Sequence, residues 1–180
     1  YVIVTSDHGD YLGEHMLTGH NKDVYEEGIA IPLIARGPGF PAGMDFSPAQ
    51  IVDIPRWVLE KLGLPMLPDM AKRTDLQVAE LYWSLPKNLT NELQRARFNR
   101  IRRAFIDGEH KLIVGSDGSE EQYDLASDPK ERRNIKARKW SDSLKEKSES
   151  WLAGRDPNKG LTVHSSEDEK DALRALGYLE

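Results

Sequence analysis

Residue types that bind metal ions and move protons are concentrated near the start of this chain. Asp7 and His8 directly follow the apolar run Tyr1–Val4, and His20 and Lys22 come shortly afterwards. A carboxylate beside a neutral imidazole is a suitable pair of ligands for a divalent cation. An Asp-His-Gly segment is equally typical of an ordinary turn, because Asp and Gly favour turns. The pair becomes a candidate metal site only if the surrounding elements place it where a site is expected.

The elements on either side of these residues favour an α/β fold. The run Tyr1–Val4 predicts a strand buried on both faces, as in a parallel sheet. Ile29–Ala35 predicts a second buried strand, with Pro32 at its start or at a sheet edge. Open α/β sheets place their chemistry just beyond the carboxyl ends of such strands. Residues 10–28 then form a long loop, and long loops inside compact domains are usually functional.

Further along, the patterns change to a helix and then to short strands. Asp53 is the preferred start of an amphipathic helix that ends at Gly63, since Pro55 then falls in its first turn. Two apolar runs flank Asp107-Gly108 and predict a hairpin. A third short strand over 121–125 completes an antiparallel meander, and a helix beginning at Ser141 or Asp142 and ending at Gly154 is expected to cover it.

Composition limits the classes of function. The chain has 180 residues, no cysteine and a net charge of −5, which argues against general nucleic-acid binding and excludes thiolate metal sites. No apolar run approaches the roughly 20 residues needed to span a bilayer. The segment Arg95–Lys111 is rich in arginine and predicts either a solvated helix face joined to a strand or an anion-binding patch. The first residue is Tyr1 rather than methionine, which suggests a fragment.

Several blocks in order resemble the sulfatase branch of the alkaline-phosphatase superfamily, of the arylsulfatase type. The resemblance covers nearly the whole chain, but it is faint between Pro65 and Phe105. The matching blocks are Thr5–Gly9, Leu12–His15, Tyr25–Glu27, Ile31–Gly39, the terminal hairpin with Tyr123–Glu131, and the ending Leu176-Gly177-Tyr178-Leu179.

The resemblance implies the C-terminal part of an alkaline-phosphatase-like α/β sandwich, with a small subdomain of antiparallel sheet and helix. We expect residues 1–75 to belong to the catalytic α/β domain. Residues 76–180 are expected to form the C-terminal subdomain, with the antiparallel meander and its packing helices.

The resemblance also implies roles for individual residues in the hydrolysis of sulfate esters. Asp7 and His8 match the late pair of metal ligands, with His8 where many relatives have Asn. The cation is expected to be Ca²⁺, with Mg²⁺, Mn²⁺ or Zn²⁺ as alternatives. Lys22 is the candidate for the lysine that contacts the sulfate, although its spacing from Tyr25 is one residue shorter than in many relatives. His20 is the second candidate for that role.

The nucleophile motif of the family, Cys or Ser followed by x-Pro-x-Arg, is absent from this chain, and so are the early acidic metal ligands. We therefore expect a fragment of a sulfuric ester hydrolase that is inactive alone. Its expected partners are a sulfate-ester small molecule or sulfated sugar and the N-terminal half of the protein, or a second copy through exposed strand edges. The family resemblance suggests a periplasmic, secreted or lysosomal location, but the compartment is not fixed.

Three alternatives remain open at this point. In the first, the chain is a fragment of a phosphoesterase or phosphonate hydrolase of the same superfamily, which shares the metal pair. In the second, it is a non-catalytic module that binds anions through Arg95–Arg103. In the third, it is a truncated, non-functional product whose strands lack neighbours.

Overall fold

The structure, a computed structural model, describes residues 1–67, 70, 75–82, 97–135, 139–155 and 167. The chain divides into two units, Tyr1–Lys147 and Ser148–Glu180, and every described strand lies in the first. Among the described helices, none has the length and apolarity needed to cross a membrane. The elements are β1 Val2–Thr5, β2 Tyr11–Leu12, β3 Thr18–Gly19, α1 Glu26–Ile29, β4 Leu33–Arg36, α2 Ile54–Leu62, β5 Gln77–Leu81, β6 Arg102–Asp107, β7 His110–Gly115, β8 Glu120–Asp124 and α3 Lys139–Ala153.

The first strand forms as predicted, but its surroundings differ from the prediction. β1 pairs with β4 in an antiparallel two-stranded sheet, with Val4 opposite Ile34. Both side chains are more than half exposed, at 52% and 62%. The prediction of a strand buried on both faces in a parallel sheet is therefore wrong here, because within the described residues only β4 lies beside β1. The prediction of a second buried strand over Ile29–Ala35 is also wrong in its start and its burial, because Ile29 ends α1 and three of the four residues of β4 are exposed. Pro32 immediately precedes β4, as expected of a proline at a strand start.

The helix predicted between Asp53 and Gly63 is confirmed. A 3-10 turn over Ile51–Asp53 leads into α2, whose N-cap position is Asp53. The Asp53 carboxylate accepts a hydrogen bond from the Gln50 backbone N–H at 3.0 Å. Gly63 ends the helix in the left-handed conformation, with φ of +65°, which a residue without a Cβ adopts at little cost.

A four-stranded antiparallel sheet in the order β5-β6-β7-β8 contains the predicted meander. The hairpin loop consists of Gly108 and Glu109, one residue later than the predicted Asp107-Gly108, because Asp107 pairs with His110. Gly108 has φ of +61°, which fits the first loop position of a type II′ turn. Strand β5 was not predicted, because the sequence near Tyr82 shows no recognisable helix or strand pattern.

The strand part of the arginine-rich segment is buried. Arg102 and Arg103 lie on β6, at 1% and 8% exposed. They are paired with carboxylates, Arg102 with Asp23 and Glu121, and Arg103 with Glu80. The expected solvation is therefore wrong for these two residues, because a positively charged pattern does not reveal buried carboxylate partners. Residues 97–98 are helical and 91–96 lie outside the described residues, so the helix before the strand stays a prediction.

The core lies between the loop before α1 and the four-stranded sheet. From the loop come Tyr11, Leu17, Val24 and Tyr25, and from the sheet Ala104, Ile113 and Tyr123. The segment that carries the candidate site residues is thus fixed by packing against the C-terminal meander.

All four strands of that sheet fall in the predicted 76–180 subdomain, and we retain the division at residue 75 as a proposal.

The covering helix is longer than predicted, since α3 begins at Lys139, two residues before Ser141. Its end before Gly154 is confirmed. Lys145 and Lys147 pair with Glu120 and Asp107 of the meander. The predicted amphipathic segment 161–180 lies outside the described residues, apart from position 167.

Candidate metal and anion site

The Asp7–His8 loop is held in shape by its own backbone and by α1. The Ser6 hydroxyl donates to the His8 carbonyl at 2.7 Å, and the Gly9 N–H donates to the Gly28 carbonyl at 3.0 Å. A Cβ on Gly9 would stand 2.1 Å from the carbonyl oxygen of Glu27. Only glycine therefore allows the chain after His8 to approach α1 this closely.

Asp7 and His8 direct a carboxylate oxygen and a ring nitrogen toward one another. Asp7 Oδ2 lies 3.7 Å from His8 Nε2, which is too far for a hydrogen bond. His8 Nδ1 is 3.1 Å from the Gly9 carbonyl, so Nδ1 is assigned the proton and Nε2 keeps its lone pair. A hydrogen bond from its own backbone N–H holds the pKa of Asp7 below its usual value. In this arrangement the ionised Asp7 carboxylate and the lone pair of His8 Nε2 are suited to bind the same divalent cation.

The structure brings His20 beside His8. The two rings stack with centroids 4.5 Å apart, and His20 Nδ1 lies 3.1 Å from Asp10 Oδ1. His8, Asp10 and His20 each offer one ligand atom within 4.8 Å of the others. Asp10 received no role in the sequence analysis, although an acidic residue two positions after His8 is a signal that could have singled it out.

Lys22 lies in the same loop, but it is not joined to the metal pair. Its side chain is half-buried, and it makes no hydrogen bond or ion pair with the described residues. The next residue, Asp23, is anchored by Arg102 Nε at 2.9 Å and is buried. Lys22 thus extends from a firmly held segment with its ammonium group available to an anion.

Asp7 and His8 border a cleft with a volume of about 860 Å³. Asn21 and Asp23, the neighbours of Lys22, also line it. Apolar side chains in its remaining wall come from β5, from residues 29–33 and from residues 49–54. Asp7 and His8 thus share this space with the two neighbours of Lys22, whereas Lys22 itself is not among the lining residues.

Comparisons with known proteins show that this chain is similar to part of several sulfatases. Dog arylsulfatase K is 30% identical over 146 residues, which cover 74% of this chain and 27% of the relative. The sulfatase YidJ of Escherichia coli strain K12 is 27% identical over 152 residues, covering 75% of this chain and 28% of the relative. This chain spans about a quarter of the length of these curated relatives. No family model matches it.

Solved structures show the same fold. The structure of BT4656, in complex with its substrate D-glucosamine-2-N,6-O-disulfate, superposes with a TM-score of 0.69 at 22% identity, covering 87% of this chain and 35% of that one. BT1596, a 2-O GAG sulfatase, gives 0.63 at 18% identity, covering 85% and 35%. The α/β fold expected from the sequence is thereby confirmed.

Proposed function

Because this chain is the counterpart of the C-terminal portion of sulfatases, we propose that it forms part of a sulfuric ester hydrolase. In this proposal Asp7 and His8 supply half of a divalent-metal site, and Lys22 contacts the sulfate. The observation that carries it is the pair of ligand atoms, Asp7 Oδ2 and His8 Nε2, which converge at the border of the cleft.

The residues of this chain would bind and orient the sulfate group. A divalent cation, Ca²⁺ first and Mg²⁺ or Mn²⁺ as alternatives, supplies positive charge that neutralises the sulfate oxygens. The Lys22 ammonium adds a charge-assisted hydrogen bond to the same group. His20 is the second candidate for this contact. Its Nδ1 lies 3.1 Å from Asp10 Oδ1, so as an imidazolium it would pair with Asp10 and donate from Nε2 to the sulfate.

Catalysis by this chain alone is not part of the proposal. The sequence contains no Cys or Ser followed by x-Pro-x-Arg, so the nucleophile has to come from residues that this chain does not contain. We propose sulfate esters, sulfated sugars among them, as the substrate class. The sulfated sugar bound to BT4656 supports that class.

Sulfate binding to the isotope-labelled chain tests the Lys22 assignment. With Ca²⁺ present, titrated sulfate should shift the NMR signals of residues 20–24, and Lys22→Ala should weaken the binding about tenfold, since it removes one charge-assisted contact. Lys130→Ala, which removes an exposed lysine elsewhere, is the matched control. If His20→Ala abolishes the shifts and Lys22→Ala does not, the role belongs to His20. Unchanged binding in both variants would contradict the proposal.

The phosphoesterase alternative is tested by the same titration with phosphate. Sulfate is fully ionised at pH 7. The proposal expects it to bind to the chain at least as tightly as phosphate does at this pH. The binding-module alternative loses support from the structure, since Arg100, Arg102 and Arg103 are each paired with carboxylates of this chain.

A further inference from the structure

A second group of potential ligands lies apart from the Asp7–His8 pair. His15, Glu27 and Glu131 each direct one ligand atom into a space where the three atoms lie within 4.8 Å of one another. From this geometry we propose that these residues bind a structural divalent cation of the zinc class. The ion would hold together three segments that are far apart in the sequence.

Each ligand is fixed by a different part of the fold. His15 lies in the 3-10 turn Glu14–Met16, and its ring stacks on Tyr25 at 3.8 Å with an angle of 6° between the planes. Glu27 lies on α1. Glu131 follows β8, and its Oε2 accepts the Glu26 backbone N–H at 2.6 Å. Little side-chain freedom would be lost when an ion binds, because the imidazole and the Glu131 carboxylate are already oriented.

The distance between the ligand atoms of His15 and Glu27 suits two ligands of one metal ion better than it suits a hydrogen bond. His15 Nε2 and Glu27 Oε2 are 3.6 Å apart, beyond hydrogen-bond range. Two ligands held about 2.0–2.2 Å from a tetrahedral zinc ion lie roughly 3.4 Å from each other. A contraction of a few tenths of an ångström would bring this pair to that separation, and the Glu131 ligand atom lies within 4.8 Å of both.

Burial and charge both favour an added cation. The Glu131 side chain is fully buried, and Glu27 Oε2 is a buried oxygen that accepts no hydrogen bond from the described residues. Lys111 Nζ lies 2.8 Å from Glu131 Oε1 and from Glu26 Oε1. Within the described residues Lys111 pairs with Glu26 and Glu131, whereas the buried Glu27 Oε2 accepts no hydrogen bond. A divalent cation beside Glu27 and Glu131 would supply the positive charge that this buried oxygen lacks.

The mixture of ligands selects the kind of ion. One imidazole nitrogen and two carboxylates match the coordination of Zn²⁺ and similar ions. Ca²⁺ takes six to eight oxygen ligands, which this pocket does not offer. The His15 and Glu27 side chains are 15% and 19% exposed, which leaves a path for the ion and for a water ligand.

Zinc binding to the full chain tests the proposal. The Asp7→Ala/His8→Ala/His20→Ala variant leaves Asp10 alone of the other candidate ligands, and calorimetry in that background should give one Zn²⁺ per chain. Adding Glu27→Gln should weaken this binding about tenfold or more. Saturating Zn²⁺ should also raise the unfolding temperature by several degrees in the background variant, and Glu27→Gln should abolish that rise.

Glu109→Gln, an exposed carboxylate outside the group, is the matched control and should bind Zn²⁺ as its parent does. Glu27→Gln is preferred to a change at the fully buried Glu131, and circular dichroism checks that it folds. His15→Gln gives a second measurement on an independent ligand. Zinc affinity and stabilisation that stay the same in both Glu27→Gln and His15→Gln would overturn the proposal. This result would leave the proposed sulfatase role of Asp7 and His8 untouched.

Discussion

At the scale of single residues, Gly9 is required for the shape of the loop that carries Asp7 and His8. Any larger side chain would place its Cβ 2.1 Å from the Glu27 carbonyl oxygen, and the obstacle is backbone that cannot rotate away. We expect Gly9→Ala to lower the free energy of unfolding by about 1–3 kcal/mol, as overpacking does in other proteins. It should also weaken calcium binding, because the Gly9 carbonyl orients the His8 ring. Urea unfolding and calorimetry measure the two effects.

Gly154→Ala is the control for this substitution. No atom lies within 4 Å of a Cβ built on Gly154, and its φ is not in the left-handed region. Its stability should stay within about 0.5 kcal/mol of the original chain. Equal stability of the Gly9 and Gly154 variants would show that the loop tolerates a side chain and that the described close approach is wrong.

Glu121 gives a prediction about pH. Burial alone would raise the pKa of this carboxyl, but Arg102 and the hydroxyls of Tyr123 and Tyr25 outweigh burial and hold it below its usual value. A carboxyl with a lowered folded-state pKa stabilises the fold above its unfolded pKa, near 4.3, and that stability is lost as the pH falls through the folded value. Glu121→Gln should therefore destabilise the chain at pH 7 and progressively less below pH 4.

Urea unfolding at pH 7 and at pH 3.5 measures this dependence. Glu146→Gln changes an exposed glutamate and serves as the control, with little effect at either pH. A Glu121→Gln penalty that stays constant between the two pH values would mean that the charge of Glu121 contributes nothing to stability.

Among the elements, β6 links the site loop to the meander through Arg102. Its guanidinium pairs with Asp23 from the loop and with Glu121 from β8, and it is buried. Arg102→Met should lower the free energy of unfolding by about 3–5 kcal/mol, because it leaves Glu121 without its cation and Asp23 with only the longer contact to Arg100, at 3.8 Å. Arg132→Met, at an exposed position, should have a small effect. Chemical denaturation compares the two, and a loss below about 1 kcal/mol for Arg102→Met would contradict this role.

The sequence predicted elements well where local signals act alone. Asp53, Pro55 and Gly63 define the start and end of α2 because capping and proline preferences are local. The meander was found from two turn signals. β5 was missed because its partner, β6, is distant in sequence, and strand pairing of that kind leaves no local trace.

The residues of the candidate site were named from the sequence, and their roles stay predictions. Asp7 and His8 were singled out by their place after a strand and by resemblance, and His20 and Lys22 by resemblance. The structure brings the His8 and His20 rings into contact. The resemblance gave no role to Asp10, which orients His20. The burial of Arg102 could not be predicted either, since it depends on where Asp23 and Glu121 meet in the fold.

For the whole molecule, the exposed sheet of β1 and β4 predicts self-association. Val2, Val4 and Ile34 are 58%, 52% and 62% exposed, and an isolated two-stranded sheet is marginally stable in water. Sedimentation should show oligomers that increase with concentration. The variant Val4→Lys/Ile34→Glu places opposite charges on paired positions and should shift the chain toward monomer.

Met44→Lys is the control for that variant, because it changes an exposed apolar residue outside the two strands. It should leave the association unchanged. A monodisperse monomer at all concentrations of the original chain would contradict the prediction.

The central claim is that Asp7 and His8 form half of a divalent-metal site. Calorimetric titration of Ca²⁺ into the chain, compared with the Asp7→Ala/His8→Ala variant, tests it most directly. With only two protein ligands, we expect roughly millimolar binding by the original chain, none by the double variant, and unchanged binding by Glu27→Gln, which keeps the pair. The claim would be contradicted if the original chain and the double variant bound calcium equally, or if neither bound it.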